Sequence, residues 1–409
     1  MKFTDFSFNR GLEEGIDAIG FEEATPIQEK AIPLILDGED IIGSAQTGTG
    51  KTAAFLFPII HKIISSKQSK HISALIIVPT RELAIQIDQQ MQGFAYFTSI
   101  SSIAVYGGGD GSSFANEKQA LSQGADVVIA TPGRLISHLN LGYVKVEKVE
   151  YFVLDEADRM LDMGFYDDII KIKSYLPVQR QNLMFAATMP QKIRELALKV
   201  LNNPKEINIA ISKPAEKILQ LAYVVYNNQK LDLAKFILSD KNIKSAIVFC
   251  STKSSTKTLS MELKKNNLAA DNIQSDLEQK EREQVLNDFK SHKINILVAT
   301  DIVSRGIDID NIDMVINYDV PNEGEDYIHR IGRTARAEAD GVAITFINEK
   351  EQTNFLEIEN LLGSPVHKVV LPPQFGDTPE YNPVKSKHKT RYNKRKPNNY
   401  KKKSNYRRK

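Results

Sequence analysis

Asp40-Ile41-Ile42-Gly43-Ser44 runs straight into Ala45-Gln46-Thr47-Gly48-Thr49-Gly50-Lys51-Thr52, and that into the apolar stretch Ala53–Ile64. The pattern predicts a strand, a glycine-rich turn and a helix in immediate succession. That order has a physical use. Glycines let the backbone curl until its N–H groups face phosphate oxygens, and the helix start adds partial positive charge. Lys51 is placed to reach the β- and γ-phosphates of a nucleotide, and Thr52 to hold Mg²⁺. Ala45 stands where the usual pattern has glycine. The competing reading here is a glycine-rich turn with a solvent-facing lysine.

Around this segment, short β-prone apolar runs alternate with helix-like stretches. The runs are Asp40–Ser44, Ala74–Val78, Ile103–Tyr106, Val127–Ala130, Tyr151–Leu154 and Leu183–Ala186, with Arg81–Phe97 and Gln191–Leu201 among the helical segments. Such alternation predicts a parallel sheet covered by helices on both faces. It breaks at Ser212–Lys217 and resumes with Ala222–Val225, Ala246–Phe249, Ile294–Ala299, Met314–Asn317 and Val342–Phe346. The expected fold is therefore α/β in two domains, 1–211 and 218–370, followed by a tail over 373–409.

At 409 residues, 42% hydrophobic and 25% charged, the chain has the composition of a globular protein. That excludes a collagen-like, rod-like or wholly disordered chain. The lone Cys250 excludes an intramolecular disulfide and argues against a cysteine zinc site. No stretch approaches the ~18 apolar residues of a membrane helix. MKFTDFSFNR at the start lacks the apolar core of a secretory leader. A protein of a reducing compartment, the cytoplasm, is expected.

The net charge of +2 hides a division. Lys385–Lys409 holds 13 Lys and Arg and no acid, leaving 40 against 51 acids, a net of −11, in the preceding 384 residues. A basic tail on an acidic body points to a polyanion partner. Tyr392, Tyr400 and Tyr406 lie among its cations, a mixture suited to stacking on bases and contacting phosphates. With little to bury, the tail is expected to be disordered when free. A solvated terminus that only aids solubility is the alternative.

Farther along, Tyr151-Phe152-Val153-Leu154 is followed at once by Asp155-Glu156-Ala157-Asp158. The carboxyl end of a buried parallel strand is where α/β sheets bind ligands. Asp155 suits Mg²⁺, through water, and Glu156 suits orienting or deprotonating an attacking water. Alone, such an acidic end is as readily a helix cap; the phosphate loop upstream favours the catalytic reading.

AQTGTGKT and DEAD together resemble the ATP-binding motifs of the DEAD-box RNA helicases, and further strings match that family in order. Gly20-Phe21 and Thr25-Pro26-Ile27-Gln28 are similar to its adenine-reading motif, with Phe3 lying 17 residues before Gly20. Then come Pro79-Thr80-Arg81-Glu82-Leu83-Ala84, Gly107-Gly108 and Thr131-Pro132-Gly133-Arg134. In the second half are Val248-Phe249-Cys250-Ser251-Thr252, Gln279 with Arg282, Ala299-Thr300-Asp301, Ser304-Arg305-Gly306-Ile307-Asp308 and Tyr327–Arg336. The resemblance covers about 1–370; compactness and the basic tail look most like the bacterial RhlE-like group.

The resemblance implies two RecA-like domains that close on ATP and RNA together. It implies that Gln28 reads adenine, that Phe3 stacks on the base and that residues 45–52 (Ala45, Gln46, Thr47, Gly48, Thr49, Gly50, Lys51, Thr52) cradle the phosphates. Asp308 is implied at the ribose, and Arg333 and Arg336 as arginine fingers. RNA contacts fall to Arg81, Gly108, Thr131, Gly133 and Arg134 of the first domain and Ser251, Thr252, Gln279, Arg282, Thr300 and Arg305 of the second. Because phosphate and sugar contacts carry little sequence information, weak sequence preference follows. The hydroxyl residues among these also suit helix caps. His329 and Arg330 are implied to link the second domain to first-domain motifs, with an ordinary ion-pair network as the alternative.

Two positions depart from the family. Its Ser-Ala-Thr motif reads Ala186-Ala187-Thr188, which removes a hydroxyl that couples hydrolysis to strand separation, and Ala335 replaces a usual glycine. The expected activity is an RNA-dependent ATPase using ATP and Mg²⁺ that locally separates short duplexes. An ATP-gated RNA clamp and a tail-driven annealing protein are the alternatives.

Overall fold

The structure, a computed structural model, describes residues 1–45, 48–66, 71–108, 111–209, 218–274, 276–300, 312–334 and 341–383. Gln46, Thr47, Asp301, Ser304, Arg305, Asp308, Ala335, Arg336, the Ser212–Lys217 connection and the basic tail lie outside the described residues, as does the side chain of Gln279.

Two seven-stranded sheets are present, and every strand pair in them is parallel. The first contains β1 (Ile41–Ser44), β2 (Ala74–Ile77), β3 (Ser102–Val105), β4 (Val127–Ala130), β5 (Tyr151–Leu154), β6 (Gln181–Ala186) and β7 (Lys205–Asn208) in the order β3-β4-β2-β5-β6-β1-β7. The second contains β8 (Ile218–Val224), β9 (Ala246–Phe249), β10 (Ala270–Ile273), β11 (Ile296–Ala299), β12 (Met314–Asn317), β13 (Gly341–Ile347) and β14 (His367–Lys368) in the order β10-β11-β9-β12-β13-β8-β14. This is the two-domain RecA-like architecture. The central strands β2, β4 and β5 are buried along their whole length, which is why they read as unbroken apolar runs. Helices cover both faces, with a separate apolar core on each.

Strand order decides the chemistry of the first domain. At its carboxyl edge β1, β6 and β5 are neighbours, with Ser44 beside Ala186 and Met184 beside Leu154. The phosphate loop, the Ala-Ala-Thr segment and the acidic motif therefore emerge side by side. Across the sheet β2, β4 and β3 are neighbours, with Ile77 beside Ala130 and Ala130 beside Val105. From these emerge Arg81, Thr131–Arg134 and Gly107-Gly108. One edge thus carries two functions, divided between β5 and β2.

The chain does not leave the second domain at about 373. Gln229 Nε2 donates to the carbonyls of Phe375 and Asp377 at 2.7 and 2.8 Å, and the Tyr381 hydroxyl donates to Glu359 at 2.7 Å. These contacts strap residues 375–382 onto the fold. No helix among the described residues is long and apolar enough to cross a membrane.

Candidate active site and nucleic-acid interface

The adenine-motif segment is clamped to the phosphate loop. Thr25, the N-cap of helix Pro26–Leu36, donates its hydroxyl to the Thr49 carbonyl at 2.8 Å. Gln28 accepts from the Thr25 N–H at 2.8 Å and donates from Nε2 to the Gly50 carbonyl at 3.1 Å. Gly50 permits this approach: its φ is +87°, and a Cβ there would stand 2.4 Å from Gln28 Nε2. The two residues expected at the base both have protein neighbours. Gln28 is fully buried and each end of its amide serves the protein. One hydrogen and one lone pair remain, the donor and acceptor a base edge would need. Phe3 is 5% exposed and ringed by Phe57, Phe21 and Phe6 at centroid distances of 5.4, 5.9 and 6.0 Å. Such edge-packed burial anchors the ring in the aromatic core of the first domain. Phe21, in the same cluster, is only partly buried.

Lys51 is buried, and its ammonium donates to the Ala45 carbonyl at 2.7 Å. Its charge also lowers the pKa of both Asp155 and Glu156, so it stands between the loop and the acidic pair. Asp155 is buried at the end of β5, and burial pushes its carboxyl up to about 6 against the pull of Lys51. Its Oδ1 accepts the Glu156 N–H at 2.9 Å; among the described residues its other oxygen accepts nothing. The Thr52 hydroxyl likewise has no partner among them. A buried carboxylate short of positive charge, and a hydroxyl left unengaged, fit a hydrated Mg²⁺.

Glu156 adopts φ 51° and ψ 48°, the left-handed region, which non-glycine residues rarely enter. Burial raises its pKa, but Arg159, Lys51 and His329 together outweigh burial and hold the carboxyl below its ordinary value. Arg159 Nη1 donates to Glu156 Oε2 at 3.2 Å. An ionised carboxylate is the form a base requires. His329 belongs to helix Gly324–Ile331 of the second domain, so this charge acts across the domains.

Asp158 was not among the expected site residues, yet it carries the Ala-Ala-Thr segment. Its Oδ2 accepts from the N–H groups of Ala187 and Thr188, each at 3.0 Å, and from the Thr188 hydroxyl at 3.3 Å. Ala186 is fully buried on β6. The missing serine hydroxyl removes about 1 kcal/mol of hydrogen bonding, but the docking survives through these three bonds.

Across the sheet lies an open groove of about 380 Å³ lined by Thr80, Arg81, Gly107, Thr131, Gly133 and Arg134 from the first domain and Arg282 from the second. Met163 and Phe165 complete its wall. Gly108 has φ +92°, and a Cβ there would stand 1.9 Å from Arg81 Nη1, so the guanidinium lies directly against the glycine. Thr131 starts helix Pro132–Asn140 without a side-chain cap bond, which leaves its hydroxyl uncommitted to the helix.

Arg282 also has a partner in the first domain. Its Nη2 pairs with Glu82 of the first domain at 2.8 Å, with both side chains largely buried. In this state it bridges the domains while lining the groove. Ser251 and Thr252 are exposed, and the Ser251 N–H donates to Asp319 at 2.8 Å. The Thr252 hydroxyl accepts from Ser255 N at 3.0 Å, so it serves as a helix cap, the alternative considered above. Thr300 is buried at the end of β11. Arg330 is held by Asn317 and the Asp319 carbonyl at 3.1 and 2.9 Å and packs on Phe249. Arg333 sits just past that helix, its carbonyl accepting Ile312 N at 3.2 Å, while the Thr334 hydroxyl bonds the Ile312 carbonyl. Cys250 is fully buried and burial pushes its thiol far up, as suits a core residue.

A phosphate loop beside a buried acidic pair, with a cation-lined groove that the second domain completes, defines a two-domain nucleoside-triphosphatase that grips a polyanion. The family model described as DEAD/DEAH box helicase matches residues 25–196, and that for the helicase conserved C-terminal domain matches 229–338. The chain is 44% identical over 351 residues to the ATP-dependent RNA helicase CshA of Listeria monocytogenes, covering 86% of this chain and 66% of that one. It is 41% identical to the DEAD-box ATP-dependent RNA helicase CshA of Geobacillus kaustophilus, covering 87% and 76%. The chain belongs to the DEAD-box RNA helicase family. Among solved structures, Saccharomyces cerevisiae Dbp5 bound to RNA and ADP BeF3 is 30% identical with a TM-score of 0.79, over 90% of this chain and 95% of that one. A DEAD box protein from Methanococcus jannaschii, 37% identical over 90% and 99%, gives a TM-score of 0.52.

Proposed function

We propose that the protein is an ATP-dependent RNA helicase whose two domains close on ATP and RNA together and locally separate short duplexes. The observation that carries this is the groove lined by Arg81, Thr131 and Arg134 of one domain and Arg282 of the other. RNA laid there touches both domains, so its affinity depends on their closure. The Arg282–Glu82 pair and the effect of His329 on Glu156 support a closed arrangement. So does the higher TM-score with RNA- and ADP BeF3-bound Dbp5 than with the Methanococcus protein, although the latter is nearer in sequence.

Phosphates of ATP lie on the loop 45–52, and Lys51 exchanges the Ala45 carbonyl for them. Asp155 and Thr52 hold Mg²⁺, which supplies charge neutralisation at the phosphates when bound. Glu156 orients the attacking water and accepts its proton. Arg333, with Arg336, answers the charge that develops on the transferred phosphoryl group. Asp158, bonded to Ala187 and Thr188, ties this chemistry to the domain interface. Gln28 ties the base site to the phosphate loop. Asp308, Gln279 and Arg305 keep the roles the family resemblance gives them.

The domains run over 1–211 and 218–383, with the basic tail beyond as an additional RNA-binding arm. The relatives named above favour the CshA group over the RhlE-like group suggested by compactness and tail. A lone buried cysteine suits the cytoplasm.

Displacement of a short duplex tests the helicase reading. It is expected to require ATP and to exceed annealing; displacement that fails while ATP-dependent RNA retention persists identifies the clamp instead. Gly108→Ala tests the groove. The added methyl displaces Arg81 and strains a left-handed residue, so the RNA concentration for half-maximal ATPase rises about tenfold. An unchanged RNA titration would remove Arg81 from the interface.

A further inference from the structure

We infer that Glu117 and Phe114, on helix Gly111–Gln123, are positioning residues that set the Arg134 guanidinium in the groove, ready for an RNA phosphate. The inference rests on the reading of the groove as the RNA site. Arg134 Nε donates to Glu117 Oε2 at 2.6 Å, and its guanidinium carbon lies 4.5 Å from the centre of the Phe114 ring. The other side of this arrangement is built as firmly. Phe114 stacks on His138 with centroids 4.4 Å apart and an angle of 15°. His138 is fully buried; its Nε2 lies 2.7 Å from the same Glu117 oxygen and its Nδ1 meets the Tyr143 hydroxyl. Glu117 is itself 6% exposed and also accepts from Tyr106 N at 3.4 Å, next to the glycine pair.

A surface arginine of the helix bundle type would be free to swing. Here a carboxylate holds one end of the guanidinium and an aromatic ring fixes its plane. Among the described residues only Nε is spent, and Nη2 is buried with no partner there although Arg134 lines the groove. A planar fork with its terminal nitrogens unspent matches the paired oxygens of a phosphate. Fixing it beforehand removes side-chain ordering from the cost of binding. The network thus raises RNA affinity through geometry, even though Glu117 subtracts a positive charge from the groove.

The test is an RNA titration of ATPase activity in a double-mutant cycle on the full chain. Glu117→Ala raises the RNA concentration for half-maximal activity about tenfold and leaves kcat at saturating RNA in place. Glu117→Gln, which still offers an oxygen to Arg134 and His138, restores most of the affinity. In an Arg134→Ala background, Glu117→Ala adds less than twofold. Additive losses in that cycle, or a fall in kcat with no change in the RNA titration, overturn the proposal. Because Glu117→Ala removes the oxygen that Arg134 and the buried His138 share, Phe114→Leu is run through the same cycle and decides the matter where the alanine variant does not fold. If Arg134→Ala alone leaves the titration unchanged, the groove reading fails first and the proposal falls with it.

Discussion

Replacing Glu156 with Gln is expected to lower RNA-stimulated ATP turnover by about 10²–10⁴-fold while ATP and RNA still bind. The substitution keeps size and a hydrogen-bond acceptor for Arg159, which now reaches Glu156 at 3.2 Å. It removes only the charge that Arg159, Lys51 and His329 hold in place against burial. Asp155, the residue proposed for Mg²⁺, is untouched. The protein should therefore assemble on ATP and RNA and stall, and stable complexes should accumulate in a retention assay as turnover disappears. Turnover within a fewfold of the unmodified protein would assign the base elsewhere.

Arg333→Ala is expected to cost about 10³–10⁵ in the hydrolysis rate, measured in a single turnover at saturating RNA. Its segment is pinned by the Ile312–Thr334 bridge, which gives the side chain a fixed root. Arg333→Lys should recover little, because an ammonium cannot present two coplanar donors to phosphoryl oxygens. ATP binding to the first domain alone should hardly change, since the residue comes from the second. A loss confined to ATP affinity would make Arg333 an ordinary binding residue and not a transition-state group.

The fold was legible where burial is complete. Strands β2, β4, β5, β9 and β12 read as apolar runs because both of their faces are covered. β7, β10 and β14 escaped notice because they lie at sheet edges, where polar residues such as Lys205 and Asp271 are tolerated and periodicity is weak. The strap over 375–382 was missed for a related reason: backbone carbonyls and the side chains of Gln229, Gln352 and Tyr381 hold it, and such bonds leave no hydrophobic signature.

Within the site, the motifs named the residues but not their partners. The string around Arg81 contains Glu82, yet nothing local tells that it meets Arg282, far along the chain. The motif assigns Gln28 and Phe3 to the base, but it does not tell that the first also bonds the phosphate loop or that the second packs in an aromatic core. Asp158 was visible in the acidic motif, but only the fold tells that the start of helix Ala157–Asp162 lies against the segment after β6. Glu117 carried no signal, because an isolated acid on a polar helix reads as a solvated residue.

The central claim is that hydrolysis awaits closure of two domains on RNA. Steady-state ATP hydrolysis, measured alone, with single-stranded RNA and with single-stranded DNA, tests it most directly. Strong stimulation by RNA and little by DNA, with half-maximal activity shifted in Gly108→Ala, is the predicted result. Equal turnover with and without nucleic acid would contradict it, since the acidic pair and phosphate loop would then work without the groove.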